Sequence, residues 1–332
     1  MKTGYKASWL FVISSCLLGT QLFASDNNIS GLPSKGVGIQ GHLPLEKYMG
    51  KSEQVLEPAF SLGTLAVPPV NLNATGASKI PFTSSQVIPQ EIDTRYPYSA
   101  IGKLWAVNSK GKAITCTGSV VQPGIVLTAG HCLHSGNGSN SGWSYNFQFA
   151  PAYRNGYAPF GVWKSVAFRN TPEAWYSGAG KLPHPTDYGI IVFNKNSSGK
   201  RVGDFSGWLG VQWTPSFINN YVTALGYSNN LDKGNISHRV DSMVHKAANN
   251  TGVYGSSMAN GSDGGPIFIN FGIAAAGDPF GWSGANGRNL IVSVISYTAS
   301  ASLMKQGGSE LDGRFGTFMN DACSLYPWAC AK

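Results

Sequence analysis

Charge is what this sequence has least of. Asp, Glu, Lys and Arg make up 12% of its 332 residues, against 42% hydrophobic and 12% aromatic residues. Disorder needs high charge and few apolar side chains, so a disordered chain is excluded. Basic residues outnumber acidic ones, for a formal charge of +8. They are scattered rather than clustered, which argues against a nucleic-acid surface and for a generally basic one. No internal repeat is present. Cysteine is sparse, five in all, and lacks the close CxxC spacing that zinc sites favour. After the N-terminal segment no stretch is long and apolar enough to cross a bilayer.

What is there begins with a leader. Lys2 and Lys6 give a basic start, residues 9–18 an apolar run, and Leu22-Phe23-Ala24 precedes polar Ser25. That pattern predicts a secretory signal peptide over residues 1–24. The run is too short for a membrane anchor. Ile13-Ser14-Ser15-Cys16 resembles a lipid-attachment box, but apolar residues continue past Cys16. Loss of residues 1–24 removes two lysines and no acid, so the charge falls from +8 to +6. Four cysteines then remain, Cys116, Cys132, Cys323 and Cys330. An even number in an exported chain predicts disulfides, most naturally between sequence neighbours.

Residues 25–87 are rich in Gly, Ser, Pro and Asn and read as a pro-region or linker, with a hint of helix only at 44–57. From residue 88 to 332 the texture changes. Short apolar, β-branched runs alternate with turn residues, at 114–121, 125–129, 189–193, 221–225, 266–271 and 290–297. Gln122-Pro123-Gly124 predicts a hairpin between the first two. Residues 272–289 read as an inserted loop, and only 312–325 carries a helical pattern. By pattern alone this is an all-β sandwich or barrel.

Three stretches carry chemistry. Leu127-Thr128-Ala129-Gly130-His131-Cys132 sets a histidine beside a cysteine, with Cys116 sixteen positions earlier across the predicted hairpin. A disulfide there would fix a histidine that must meet another group within hydrogen-bond reach. Asp187 opens the apolar strand Gly189-Ile190-Ile191-Val192-Phe193, where a carboxylate could orient an imidazole. Asn260-Gly261-Ser262-Asp263-Gly264-Gly265-Pro266 is the third. Taken singly, each has a plain structural reading: a histidine near a disulfide, a strand-entry aspartate, a tight turn.

Together the histidine box, the cysteine spacing and the Gly-Gly-Pro loop resemble the chymotrypsin/trypsin-like serine protease family, in that family's order of histidine, aspartate and nucleophile. The resemblance runs from about residue 88 to the C-terminus. It implies a chymotrypsin-like double six-stranded antiparallel β-barrel with a C-terminal helix. It also implies a secreted or periplasmic protein of bacterial type that hydrolyses peptide bonds with a Ser/His/Asp triad. No metal or cofactor is expected, and the expected partner is a peptide or protein in the cleft of a monomer. His131 and Asp187 match the triad. The amides of Gly261 and Asp263 match the oxyanion hole. Ser296 would help hold Asp187, and Tyr297 and Thr298 would border the specificity pocket. Ser257 would be that pocket's floor with Met258 beside it, so no counter-ion awaits Lys or Arg, and an apolar or aromatic side chain is expected.

The sequence departs from the family at one decisive place. Asp263 stands where the attacking serine belongs, and Ser262 comes one residue too early. With the family backbone, the Ser262 side chain points away from the histidine. Ser262 also replaces an acid with which many animal members bind their freed N-terminus, and no Ile-Val-Gly-Gly start occurs near residue 88. Two carboxylates flanking one imidazole raise its pKa, and an imidazolium is no base. Three functions follow: a pseudoprotease that binds peptides, an active endopeptidase using Ser262 with His131 and Asp187, or an atypical hydrolase using Asp263.

Overall fold

The computed structural model describes residues 80–213, 216–247, 250–272, 288–300 and 302–331. The leader, the helix hint at 44–57 and most of the 272–289 loop lie outside them. In chain order the strands are β1 (Phe82–Gln86), β2 (Ile101–Val107), β3 (Ala113–Gln122), β4 (Ile125–Thr128), β5 (Tyr145–Pro151), β6 (Val166–Asn170) and β7 (Gly189–Phe193). The second half adds β8 (Gly210–Val211), β9 (Tyr221–Gly226), β10 (His238–Met243), β11 (His245–Lys246), β12 (Thr251–Gly255), β13 (Pro266–Ile269), β14 (Leu290–Ser300) and β15 (Lys305–Glu310).

They form two curled sheets. The first has six strands in the order β5-β2-β3-β4-β7-β6. The hairpin β3–β4 turns at Pro123-Gly124 as the sequence predicts. The second runs β1-β10-β9-β13-β14-β15-β12-β11, with β8 alongside β14. Its central six strands curl back on themselves where the Gly255 N–H donates to Ser242 Oγ, joining β12 to β10 (3.1 Å). This is the chymotrypsin-like double-barrel architecture, with β1, β8 and β11 as additions to the second barrel.

Pairing begins ahead of residue 88. All five residues of β1 pair with β10, Phe82 opposite Ser242 and Gln86 opposite His238. Phe82, 8% exposed, enters the second core beside Tyr254 and Met258. Little in the composition of Phe-Thr-Ser-Ser-Gln marks this strand, because only one face of it is covered and its register comes from β10.

The C-terminal helix, Gly313–Leu325, starts at Asp312, whose side chain accepts the Arg314 N–H in the manner of an N-cap. It buries Phe315, Phe318, Met319 and Ala322 against the first barrel's core. Phe315 meets Tyr188 edge-on at 5.5 Å, so the helix buttresses the residue next to Asp187. The Cys323–Cys330 disulfide closes the end of the chain, and Ala329 O accepts the Gly124 N–H at the β3–β4 turn (2.7 Å).

Candidate active site

The site lies between the barrels, and both contribute to it. A single helical turn, Gly130–Leu133, leaves the end of β4 and is stapled to β3 by the Cys116–Cys132 disulfide. On it sits His131, its side chain 27% exposed, beside fully buried Asp187. One oxygen of Asp187 accepts the His131 backbone N–H (2.7 Å). The other faces His131 Nδ1 at 2.8 Å and accepts from Ser296 Oγ on β14 (2.6 Å). With that oxygen as its partner, Nδ1 carries a proton and Nε2 is turned toward the cleft. Trp175, wholly buried, stands 6.4 Å from the imidazole, ring to ring. Its Nε1 donates to His134 O (2.9 Å), closing the histidine turn from behind.

The second half of the site is the loop at 259–265, held on every side. Thr117 N donates to Asp263 O (2.8 Å), tying the loop to the first barrel. Thr117 Oγ1 donates to Gly261 O (2.9 Å). Gly264 N donates to Ile295 O and Gly265 N to Ser262 O. The turn needs glycine at 261 and 264, where φ is +95° and +83° and a Cβ on Gly264 would lie 2.1 Å from Thr128 Oγ1. Among the described residues neither the Gly261 nor the Asp263 N–H donates to a backbone carbonyl.

Both N–H groups instead favour the ionised form of the Asp263 carboxyl. Burial nevertheless dominates and raises its pKa, with Asp187 adding to the rise and His131 and the two amides opposing it. For His131, burial works against the imidazolium, but the Asp187 charge and hydrogen bond and then the Asp263 charge outweigh it. Its pKa rises to about 9. The two carboxylates flanking one imidazole therefore have the effect anticipated from the sequence.

Ser262 is fully buried. Its Oγ donates to Ala259 O (2.6 Å) and accepts from Gln306 Nε2 (2.8 Å), and no described hydrogen bond joins it to His131. Ser257 is linked through its hydroxyl to Ser84 of β1 (2.6 Å). Met258 is 2% exposed and packs into the second barrel's core. Tyr297 lies across Gly307 of β15, where a Cβ would touch its ring at 2.1 Å. Thr298 Oγ1 is buried with no partner among the described residues. Sequence reasoning did not find Thr117, Trp175, Ser84 or Gln306. Cys116, His131 and Cys132 bring their sulfur and nitrogen atoms close together, but both sulfurs are spent in the disulfide. That leaves one imidazole and no thiolate for a metal ion.

Comparison with known proteins follows the geometry. The Trypsin family model matches residues 94–157, the stretch that contains the histidine turn. A glutamyl endopeptidase of Bacillus licheniformis is 31% identical over 159 residues, 45% of this chain and 44% of the relative. The chain thus spans less than half the length of the curated relatives it matches. Among solved structures, the protease Anisep of Arthrobacter nicotinovorans superposes with a TM-score of 0.57 at 26% identity, over 70% of this chain and 98% of that one. The thermostable serine protease AL20 from an extremophilic microorganism gives 0.58 at 24% identity, over 71% and 99%. Sequence and fold together support a trypsin-family domain, that is, a chymotrypsin-like serine protease domain, in this chain.

Proposed function

We propose that this chain is a secreted trypsin-like serine protease family protein, a monomer whose cleft receives a peptide or protein segment and whose peptide-cleaving activity is lost or very weak. In this reading residues 1–24 are a signal peptide, 25–87 a pro-region or linker whose last residues supply β1, and Asp263 stands at the position of the attacking serine. Two disulfides suit an oxidising compartment outside the cytoplasm. The observation that carries the reading is the Asp263 carboxylate acting on His131 and on the amides of Gly261 and of Asp263 itself.

Each part of acyl transfer suffers from that arrangement. In the family reaction a hydroxyl attacks the carbonyl carbon, histidine takes its proton, and two amides receive the negative oxygen. A carboxyl at 263 is a poor nucleophile toward an amide, since attack would form a mixed anhydride. An imidazole already protonated at neutral pH cannot accept a proton. The amides that would receive the oxyanion already act on the Asp263 carboxyl group. Asp187 and Ser296 still orient His131, so the machinery around the missing hydroxyl is intact. Nothing favours Ser262 as a substitute nucleophile, because its oxygen is buried and committed on both sides.

A serine-directed phosphonylating probe tests this on the purified mature protein. The unmodified chain should not label, and Asp263→Ser should. Labelling of the unmodified chain that disappears in Ser262→Ala would overturn the proposal.

A further inference from the structure

Behind the 259–265 loop lies a buried hydrogen-bond network built entirely from neutral groups. At its centre is Gln306 of β15, wholly buried. Its Nε2 donates to Ser262 Oγ at 2.8 Å. Its Oε1 accepts from Ser256 Oγ at 2.7 Å and from Tyr254 OH at 3.2 Å. Ser256 Oγ in turn accepts the Met258 N–H (3.1 Å), and Ser262 Oγ donates to Ala259 O (2.6 Å). One amide side chain therefore connects β12, β15 and both ends of the segment leading to Asp263. A primary amide suits this place because it donates on one side and accepts on the other. Behind Ser262, Gly226 blocks retreat: a Cβ there would lie 2.7 Å from the Ser262 Cβ.

We propose that Gln306 is the positioning residue of this loop: through Ser262 it keeps the Gly261 and Asp263 N–H groups turned to one point, so that the anion-binding corner is preformed without any charged chain terminus. The inference rests on the reading of Gly261 and Asp263 as the oxyanion corner. It goes beyond that reading by naming what holds the corner in shape. A loop fixed by an ion pair depends on a charge being released and buried. A loop fixed by Gln306 is set as soon as β12 and β15 pair, and Ser262 is thereby a fastening point rather than a reacting group.

The test begins with the native site, by amide NMR of the full chain. In Gln306→Met, the Gly261 and Asp263 amide signals should shift and broaden while those of β2 to β4 stay in place. In Gln306→Glu, a protonated carboxyl can donate to Ser262 and accept from Ser256, as the amide does. An ionised one cannot donate. The titratable neighbours are Tyr254, which burial keeps protonated far above neutrality, Tyr297 over Gly307, also raised by burial, and, across the loop, Asp263 and His131. Gln306→Glu should therefore match the parent spectrum in acid and depart from it as pH rises. The second measurement uses Asp263→Ser as background. There Gln306→Met should slow phosphonylation at least tenfold, and the rate ratio of Gln306→Glu to its parent should fall with rising pH. Unmoved Gly261 and Asp263 amides in Gln306→Met, or a Gln306→Glu spectrum with the parent's pH dependence, would overturn the proposal even if Gln306→Met folds poorly. Labelling of the unmodified chain through Ser262 would sink the functional reading instead.

Discussion

Replacing Asp263 by asparagine should make His131 a better base without restoring a nucleophile, and the size of the change can be worked out. His131 rises from 6.5 to about 9, which at about 1.4 kcal/mol per pH unit is a preference of about 3 kcal/mol for the imidazolium. At pH 7 about one imidazole in a hundred is then neutral, against about three in four for an unperturbed histidine. Asp187 supplies both a charge and a hydrogen bond to this rise, and Asp263 a charge alone. Asp263→Asn should therefore lower the His131 midpoint by less than Asp187→Asn does. The stability consequence follows from the sign. A pKa raised by folding stabilises the native state fully below 6.5, and that contribution is lost as pH climbs through about 9. Asp263, also raised, acts in the same sense, since its ionised form is disfavoured in the fold. NMR titration of the histidine ring protons, paired with urea unfolding at several pH values, measures both effects. A His131 midpoint near 6.5, or one that Asp263→Asn leaves unmoved, would refute the claim that two carboxylates flank this ring.

Three further outcomes can be checked. Replacing Cys116 and Cys132 together by serine should cost about 3 kcal/mol, the loop-closure value for a bridge of this span, read from denaturant midpoints with and without reductant. Ser296→Ala removes a 2.6 Å bond to the buried Asp187 carboxylate and should cost about 1.5–3 kcal/mol, with an unchanged far-UV spectrum. A chain begun at residue 80 keeps β1 whole. One begun at residue 88 loses β1, and with it the burial of Phe82 alone costs about 1.5–3 kcal/mol, which thermal unfolding would detect.

The sequence exposes those parts of the fold where local pattern and tertiary role agree. Residues 189–193 are apolar throughout because β7 is buried on both faces between β4 and β6, and a continuous apolar run says so directly. Pro123-Gly124 marks its turn for the same local reason. β15, Lys-Gln-Gly-Gly-Ser-Glu, gives no such sign. It lies between β14 and β12, yet its apolar cover comes from elsewhere. Tyr297 lies over Gly307, and Ile267 reaches Gly308. A strand whose core is supplied by its neighbours cannot be read from its own letters. β1 is hidden for the opposite reason, since four of its five residues stay at least partly exposed.

The same division runs through the site. His131, Asp187 and Asp263 are legible because the family the sequence resembles calls for particular residue types in a particular order, and a departure such as Asp263 stands out against that order. Gln306 is not, because its function depends on which atoms surround it. Nothing in residues 305–310 signals that an amide there will meet Ser262 from behind, 44 positions earlier in the chain. That contact changes the meaning of the sequence around Asp263. Were Ser262 a displaced nucleophile, its oxygen would need a path to His131 and freedom to move. Instead it is fastened by one donor and one acceptor within a buried network, where breaking either bond leaves an unsatisfied polar group costing about 1–3 kcal/mol. A one-residue slide that brought Ser262 toward His131 would break both, and would also draw Gly261 and Gly264 out of the positive-φ positions that only glycine holds without strain. The loop is thus fixed in the register that presents Asp263, and under the function proposed above the chemistry of the cleft turns on a carboxyl rather than on a hydroxyl.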